Sequence, residues 1–195
     1  DKVLKVRQVG KVHRIVLVFK VLGIQQFYRG LDFGEYIMDF PFFSEEELRL
    51  MFETTDLDLI IKCLDQFLLS RYQAYENHIV QQAVEHLFSN YDEFLVEQLA
   101  SDLGISRRLF IRVFKGHFGV SIKKFHRIIL LRKLLEMKLF DSPQESFTRL
   151  AYELNYADQA HLNKAFKDLT QNSPNQFLKK GTLLGDEDTF WHIVK

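Results

Sequence analysis

Cysteine is almost missing from this chain. Cys63 stands alone among 195 residues, so no disulfide framework or multi-cysteine zinc site can form within it, and a reducing compartment fits. Long apolar runs are missing too. Nothing approaches the ~20 residues of a membrane helix, and the first residues lack the apolar stretch of a secretion signal. Seven histidines occur, at positions 13, 78, 86, 117, 126, 161 and 192, yet there is no HExxH pair, Walker-A loop or GxSxG elbow. Neither catalysis nor a cofactor nor a metal site is expected. An excess of either charge is the last absence: 26 basic residues balance 26 acidic ones, so the whole-chain charge selects no partner.

What is present is hydrophobic content of 47%, enough for a real core in one large domain or two small ones, and a charge that is unevenly spread. Residues Asp92 to Lys180 hold 15 Lys/Arg against 10 Asp/Glu, whereas Asp1 to Tyr91 hold 10 against 13 and the tail after Lys180 holds 1 against 3. Between Ser106 and Leu135 lie nine basic residues and no acidic one. Such a run is either a solvated helix face or the footprint of a polyanion binder. The chain opens on Asp1 instead of Met, so we expect a piece of a longer protein or one that has lost its start.

The N-terminal part, residues 1–72, reads as a small α+β sensor- or dimerisation-like region, either whole or lacking strands upstream. Ile15 to Phe19 is a β-branched run expected to form a strand. Gly23, Gly30 and Gly34 punctuate the stretch after it, with a short helix about Ile24 to Tyr28. Pro41 marks a break. Ser44 and Glu47 make a capping box that starts a helix reaching about Phe52. A second helix, about Asp56 to Tyr72, sets Leu57, Ile60, Ile61, Leu64, Phe67 and Leu68 on one stripe. That stripe either packs on its own domain or forms a seam with a second copy of the chain. Cys63 lies beside it as a small buried thiol.

From Tyr75 onward the pattern is helical almost throughout: Tyr75 to Phe88, Glu93 to Leu103, Ser106 to His117, Ser121 to Lys138, Ser146 to Leu154, Asp158 to Leu169, and a short helix from Pro174. The fold class expected is mainly α, with seven helices over residues 75–180. Within it a pattern recurs. Leu99-Ala100 is followed four residues after the Ala by Gly104, and Leu150-Ala151 by Asn155; each is then followed by an apolar residue and a new helix start. A small Ala lets two helices approach closely, and Gly or Asn takes the left-handed backbone that ends the first of them. The next helix in each copy repeats as well, with Phe110, Val113 and Phe114 as the buried face of one and Leu162, Ala165, Phe166 and Leu169 as that of the other.

These phrases resemble the DNA-binding domain of the AraC/XylS transcription regulators. They are Leu99 to Ser106, Arg112 to Lys115, Gly119 to Ser121, Asp158 to Leu162, Ala165 to Lys167 and Ser173-Pro174. The resemblance covers about Tyr75 to Lys180 and extends faintly to Arg14 to Tyr72, similar to the sensor half of one subgroup, where strands are missing upstream or the pocket is vestigial. There are departures. Asn155 stands for Gly in the second corner, Leu130 for a frequent Arg in the linker helix, and Lys164 for Arg in the second recognition helix. A Lys lacks the bidentate fork that Arg offers to guanine or phosphate.

The resemblance implies a double helix-turn-helix that sends two recognition helices into successive major-groove segments, about 34 Å apart, with the helix Ser121 to Lys138 as spacer. Arg108, Ile111 and Arg112 on the first helix, and Gln159, His161, Asn163 and Lys164 on the second, match positions that face the bases. Ile111 suits either a thymine methyl or a tolerated surface position. Arg107, Lys115, Ser121, Lys123, Lys124, Arg127 and Lys167 are expected on the DNA backbone. The expected partners are double-stranded DNA, RNA polymerase, and a second copy through the helix 56–72; no membrane is among them. The expected location is the bacterial cytoplasm, on the nucleoid when bound. A rival reading is a helical protein-interaction adaptor that never touches DNA. The tail, residues 181–195, lies outside the resemblance and either docks or hangs free.

Overall fold

A computed structural model of the chain describes residues 13, 15–27, 43–91, 94–183 and 190–192. Among them the protein is mainly helical: α1 (Glu45–Phe52), α2 (Leu57–Arg71), α3 (His78–Ser89), α4 (Val96–Asp102), α5 (Arg107–Phe118), α6 (Ile122–Glu136), α7 (Phe147–Glu153), α8 (Gln159–Thr170) and α9 (Pro174–Lys180). Each expected helix from residue 44 onward is present, with ends shifted by a few residues.

The expected strand at Ile15 to Phe19 is a correction. These residues adopt no regular secondary structure, and Val16 and Val18 are 53% and 76% exposed. A β-branched run becomes a strand only beside a hydrogen-bonded neighbour, and none lies next to it among the described residues. With no strand described before residue 181, the α+β character expected for residues 1–72 is not supported. The short helix about Ile24 is a single 3-10 turn, Ile24–Gln26; Tyr28, Gly30, Gly34 and Pro41 lie outside the described residues. The described strands, β1 (Gly181–Leu183) and β2 (Phe190–His192), pair antiparallel in the tail, Thr182 opposite Trp191. The sequence pattern leaves that segment open.

Helix ends follow their caps. The Ser44 hydroxyl accepts from Glu47 N at 3.2 Å while the Glu47 carboxylate accepts from Ser44 N at 2.7 Å, which completes the expected capping box. That hydrogen bond and Arg71 nearby hold the Glu47 carboxyl below its usual range. Asp56 caps α2 through Asp58 N and Leu59 N. Helix α3 starts at His78, three residues later than the apolar pattern suggests, because the Asn77 side chain accepts from Val80 N at 3.1 Å and begins the helix there. Tyr75 is thereby left outside the helix. Farther along the chain α6 gives way to a π turn, Met137–Asp141, and Lys138 ties the adjoining loop by donating to the carbonyls of Pro143 and Glu145.

The chain divides into two compact units, and the division falls between the repeated corners. One consists of the described residues of Arg7–His86 and Leu95–Ile122, so the first corner shares a unit with α1 and α2. Its buried side chains include Met51, Ile60, Phe67, Val80, Ala83, Leu99, Phe110 and Phe114. Phe43 stacks on Phe67 with ring centroids 4.0 Å apart, and the Arg71 guanidinium sits 3.7 Å from the Phe67 ring centroid while bridging to Glu47. The other unit comprises the described residues of Leu87–Phe94 and Lys123–Lys195. Its core joins Leu130 and Leu134 of α6, Phe147, Leu150 and Ala151 of α7, Leu154 of the corner, and Leu162 and Phe166 of α8. Burying such side chains stabilises each by roughly 1.5–3 kcal/mol. Leu130, the residue standing for a frequent Arg, is a core residue.

The stripe on α2 is only partly buried. Ile60 and Phe67 are inside, whereas Leu57 is 71% and Ile61 54% exposed. Cys63 is half-buried and lines a small cavity of about 170 Å³ between α1 and α2 with Leu50, Met51 and Phe67.

Candidate nucleic-acid interface

The two corners are the same structure built twice. In the first, Leu103 N donates to Leu99 O, Gly104 N to Ser101 O and Ile105 N to Ala100 O; in the second, Leu154 N donates to Leu150 O, Asn155 N to Tyr152 O and Tyr156 N to Ala151 O. Every bond recurs 51 residues later. The residue that turns the chain is left-handed in both, with φ +64° at Gly104 and +56° at Asn155, as the repeated motif predicts. No atom stands within 4 Å of where a Gly104 side chain would begin, so the backbone angle, and not crowding, demands this residue type. Ala100 and Ala151 are buried at the crossing of the two helices.

One further residue separates each corner from its second helix in the later copy, so the offset becomes 52 along the second helices. Ser106 caps α5 through Leu109 N at 3.2 Å, and Asp158 caps α8 through His161 N at 2.7 Å. Phe110 and Phe114 face the first core; Leu162, Ala165 and Phe166 face the second. Val113 is half-buried, less than its expected place in the face suggests. Both helices end in a left-handed residue, Gly119 at φ +67° and Gln171 at φ +61°. Gln171 bears a side chain there, so this second end carries strain that the first avoids.

The inward faces determine what points outward. On α5 the residues opposite Phe110 and Phe114 are Arg108, Ile111, Arg112 and Lys115. The three cations are exposed, Ile111 is half-buried, and among the described residues none of the cations has an ion-pair partner. The 52-residue offset places Ala160, Asn163, Lys164 and Lys167 in the corresponding positions of α8. Ala160, Lys164 and Lys167 are exposed and Asn163 is half-buried. Ala160 was not singled out by sequence reasoning; the offset between the copies is the signal that finds it.

Other expected DNA-facing residues make bonds inside the protein. Arg107, first in α5, pairs through Nε with Glu97 of α4 at 2.8 Å. Gln159, first in α8, accepts from the Thr148 hydroxyl of α7 at 2.7 Å. These are equivalent contacts, since Thr148 follows Glu97 by 51 residues and Gln159 follows Arg107 by 52. Arg127 of α6 donates to the Asp168 carboxylate at 2.9 Å and reaches the Ala165 carbonyl at 3.5 Å, tying α6 to α8. His161 is exposed and meets the Tyr156 ring edge-on at 5.3 Å. Burial pushes the Tyr156 hydroxyl above its usual pKa, and the nearby Arg127 partly offsets this. Lys123 is exposed at the start of α6; Lys124 is half-buried and, like the exposed Ser121, engaged within the protein.

A contact that sequence reasoning missed sits at the end of α5. The Tyr75 hydroxyl lies 3.0 Å from His117 Nδ1, with the ring centroids 5.1 Å apart. Burial holds the His117 ring below the usual imidazole pKa of 6.5 and pushes Tyr75 above 10. No group of three or more His, Cys, Asp or Glu that could hold a metal occurs among the described residues, and no described helix is long and apolar enough to cross a membrane.

Known proteins share parts of this arrangement. A helix-turn-helix domain family matches residues 99–180. An uncharacterized HTH-type transcriptional regulator of Haemophilus influenzae is 35% identical over 92 residues, 47% of this chain and 30% of that protein. The Msm operon regulatory protein of Streptococcus mutans is 26% identical over 144 residues, 72% of this chain and 50% of that one. The chain thus spans half or less of the curated relatives it matches. Among solved structures, the C-terminal domain of AraT, a response regulator from Geobacillus stearothermophilus, has the same fold over 60% of this chain and 95% of its own, with a TM-score of 0.50 at 21% identity.

Proposed function

We propose that this chain, whose residues 99–180 match a helix-turn-helix domain family and resemble the AraC/XylS type, is the DNA-binding part of a bacterial transcription regulator that reads a specific duplex sequence. The observation that carries the reading is the doubled corner. Each copy buries one face of its second helix and turns a cationic stripe outward, and on α5 that stripe holds two guanidiniums and an ammonium without an ion-pair partner among the described residues. A surface kept this free of acids is matched to a polyanion.

In the proposed complex α5 and α8 each enter a major-groove segment, the two segments lying about one helical turn, ~34 Å, apart on one face of the duplex. Arg108 and Arg112 are the sharpest readers, since a guanidinium pairs with guanine O6 and N7 at once and each such pair discriminates by about 1–3 kcal/mol. Ile111 packs on a thymine methyl. On α8 Asn163 pairs with adenine, Lys164 makes a single-point contact, and His161 flanks them. Lys115, Lys123, Lys124, Lys167 and Ser121 hold phosphates. Arg107, Gln159 and Arg127 bind within the protein in the absence of DNA, so any contact they make to DNA costs a bond already formed.

Two partners belong to the same proposal. Positions 57, 61, 64 and 68 of α2 follow the 4-3-4 spacing of a helix-pairing seam, and the exposure of Leu57 and Ile61 supports a homodimer formed through α2 of a second copy. RNA polymerase is the partner that a promoter-bound regulator would meet. The working location is the cytoplasm, on the nucleoid.

Selection from random duplexes tests the central reading. The expected result is one enriched motif with two parts about a helical turn apart, bound with an affinity that falls steeply with salt. Absence of any enriched motif, with weak retention on heparin, would favour the protein-interaction adaptor instead. Sedimentation of the chain with Leu57 and Ile61 both changed to Lys tests the dimer, which should revert to a monomer.

A further inference from the structure

We propose that Tyr75 is a positioning residue for the first recognition helix, and that through it residues 19–27 act on α5 while leaving α8 alone. The proposal rests on reading α5 as a DNA reader.

The connector between α2 and α3 is extended and anchored at several points. Tyr72 leaves α2 in an extended backbone conformation, and its ring packs edge-on against Phe27 at 6.0 Å; Phe27 in turn meets Phe19 at 5.6 Å. One residue on, Gln73 N donates to the carbonyl of Gln26 at 2.7 Å, a backbone bond that ties the connector to the 3-10 turn. The Tyr75 carbonyl accepts from Gln81 Nε2 at 3.0 Å, which fixes the backbone of Tyr75 on α3. Its side chain is therefore aimed by bonds on both sides, and the hydroxyl meets His117 at 3.0 Å.

His117 occupies the last turn of α5. Its ring packs edge-on against Phe118 at 4.7 Å, and Phe118 packs on Phe114, a core residue of that helix, at 4.6 Å. A displacement of Tyr75 would therefore roll or slide α5 on its core, and with it Arg108 and Arg112 one face away. All of these residues belong to the same compact unit. Helix α8 has no such tie among the described residues. Its first residue is held by Thr148 of α7 and its last turn by Arg127 of α6, both within its own unit.

The test uses the whole chain and the duplex motif obtained by selection. Arg112→Ala first identifies which part of the motif α5 reads. Affinities are then measured for the intact motif and for duplexes with either part scrambled, using the wild type, Tyr75→Phe, His117→Gln and Phe27→Ala. Tyr75→Phe keeps the ring and removes the hydroxyl, so the expected result is a threefold to tenfold loss of discrimination at the α5 part, about the range one hydrogen bond covers, with the α8 part unchanged. His117→Gln should do the same, and Phe27→Ala should shift the same part in the same direction. A loss shared equally by both parts, or no change at either, overturns the role of Tyr75. Selective loss in Tyr75→Phe without any in Phe27→Ala overturns the reach to residues 19–27. A wild type that prefers no duplex at all would instead sink the DNA-binding reading beneath the proposal.

Discussion

The two helix-turn-helix copies share their corner bonds, their caps and the spacing of their buried faces, yet they differ in what those shared positions carry. Where α5 has Arg108, Ile111 and Arg112 facing outward, α8 has Ala160, Asn163 and Lys164; where α5 has Gly116, α8 has Asp168, paired with Arg127. The turn residues differ in the same sense, Gly104 and Gly119 against Asn155 and Gln171. Backbone geometry has been kept while the outward chemistry has diverged. The repeat is therefore a scaffold, and in the proposed DNA complex the discrimination of each copy would rest on three or four side chains that the scaffold does not constrain.

The largest expected effect removes the scaffold from one copy. Phe166→Ala empties a fully packed site in the second core and should cost about 3–5 kcal/mol in urea denaturation. A cost below about 1 kcal/mol would mean that the second copy is not packed as described. Next comes the inequality of the readers. Arg112→Ala should lose about 1–3 kcal/mol of discrimination at defined base pairs in competition gel shifts, and Lys164→Ala distinctly less. Lys124→Ala should weaken all duplexes alike and lessen the salt dependence by about one phosphate contact. Equal losses for Arg112 and Lys164 would erase the asymmetry.

Smaller changes test the turns. Gly104→Ala forces a side chain into φ +64° and should destabilise by about 1–2 kcal/mol, although space is open around it. Asn155→Gly, at the equivalent position, should leave the melting temperature nearly unchanged or raise it slightly. The smallest effect concerns His117, on the first copy only. Burial depresses its folded pKa below the 6.5 of an unfolded chain, so unfolding takes up a proton in that window. Its stabilising contribution is full above pH 6.5 and declines as the pH falls below it, levelling off beneath the folded pKa. The melting temperature of His117→Gln should show less decline between about pH 7.5 and pH 5 than that of the wild type.

Much of this architecture could be read without coordinates. Ser44 with Glu47, Ser106, Asp158, Gly104 and Asn155 each act on backbone groups three or four residues away, so caps and corners are written locally and the helices from residue 44 onward are expected. Two local readings failed for identifiable reasons. The run Ile15 to Phe19 has the composition of a strand but no neighbour to pair with among the described residues. The apolar pattern from Tyr75 suggests a helix that the Asn77 side chain begins only at His78. The placement of Leu57, Ile60, Ile61, Leu64, Phe67 and Leu68 on one stripe was legible, but which of them would be covered was not.

The sequence by itself determined that two like corners would form and which face of each second helix would be buried, because both follow from hydrogen bonds and periodicities that close within a turn or two. Only the tertiary structure decided which side chains pair across the fold and which outward cations have no ion-pair partner among the described residues. Arg107 finds Glu97, Arg127 finds Asp168 and Tyr75 finds His117 across 10, 41 and 42 residues of chain. Such pairs depend on how helices already formed pack against one another. The same packing placed the first copy in one unit with α1 and α2 and the second in the other with α6, a grouping that no repeat in the sequence foretells.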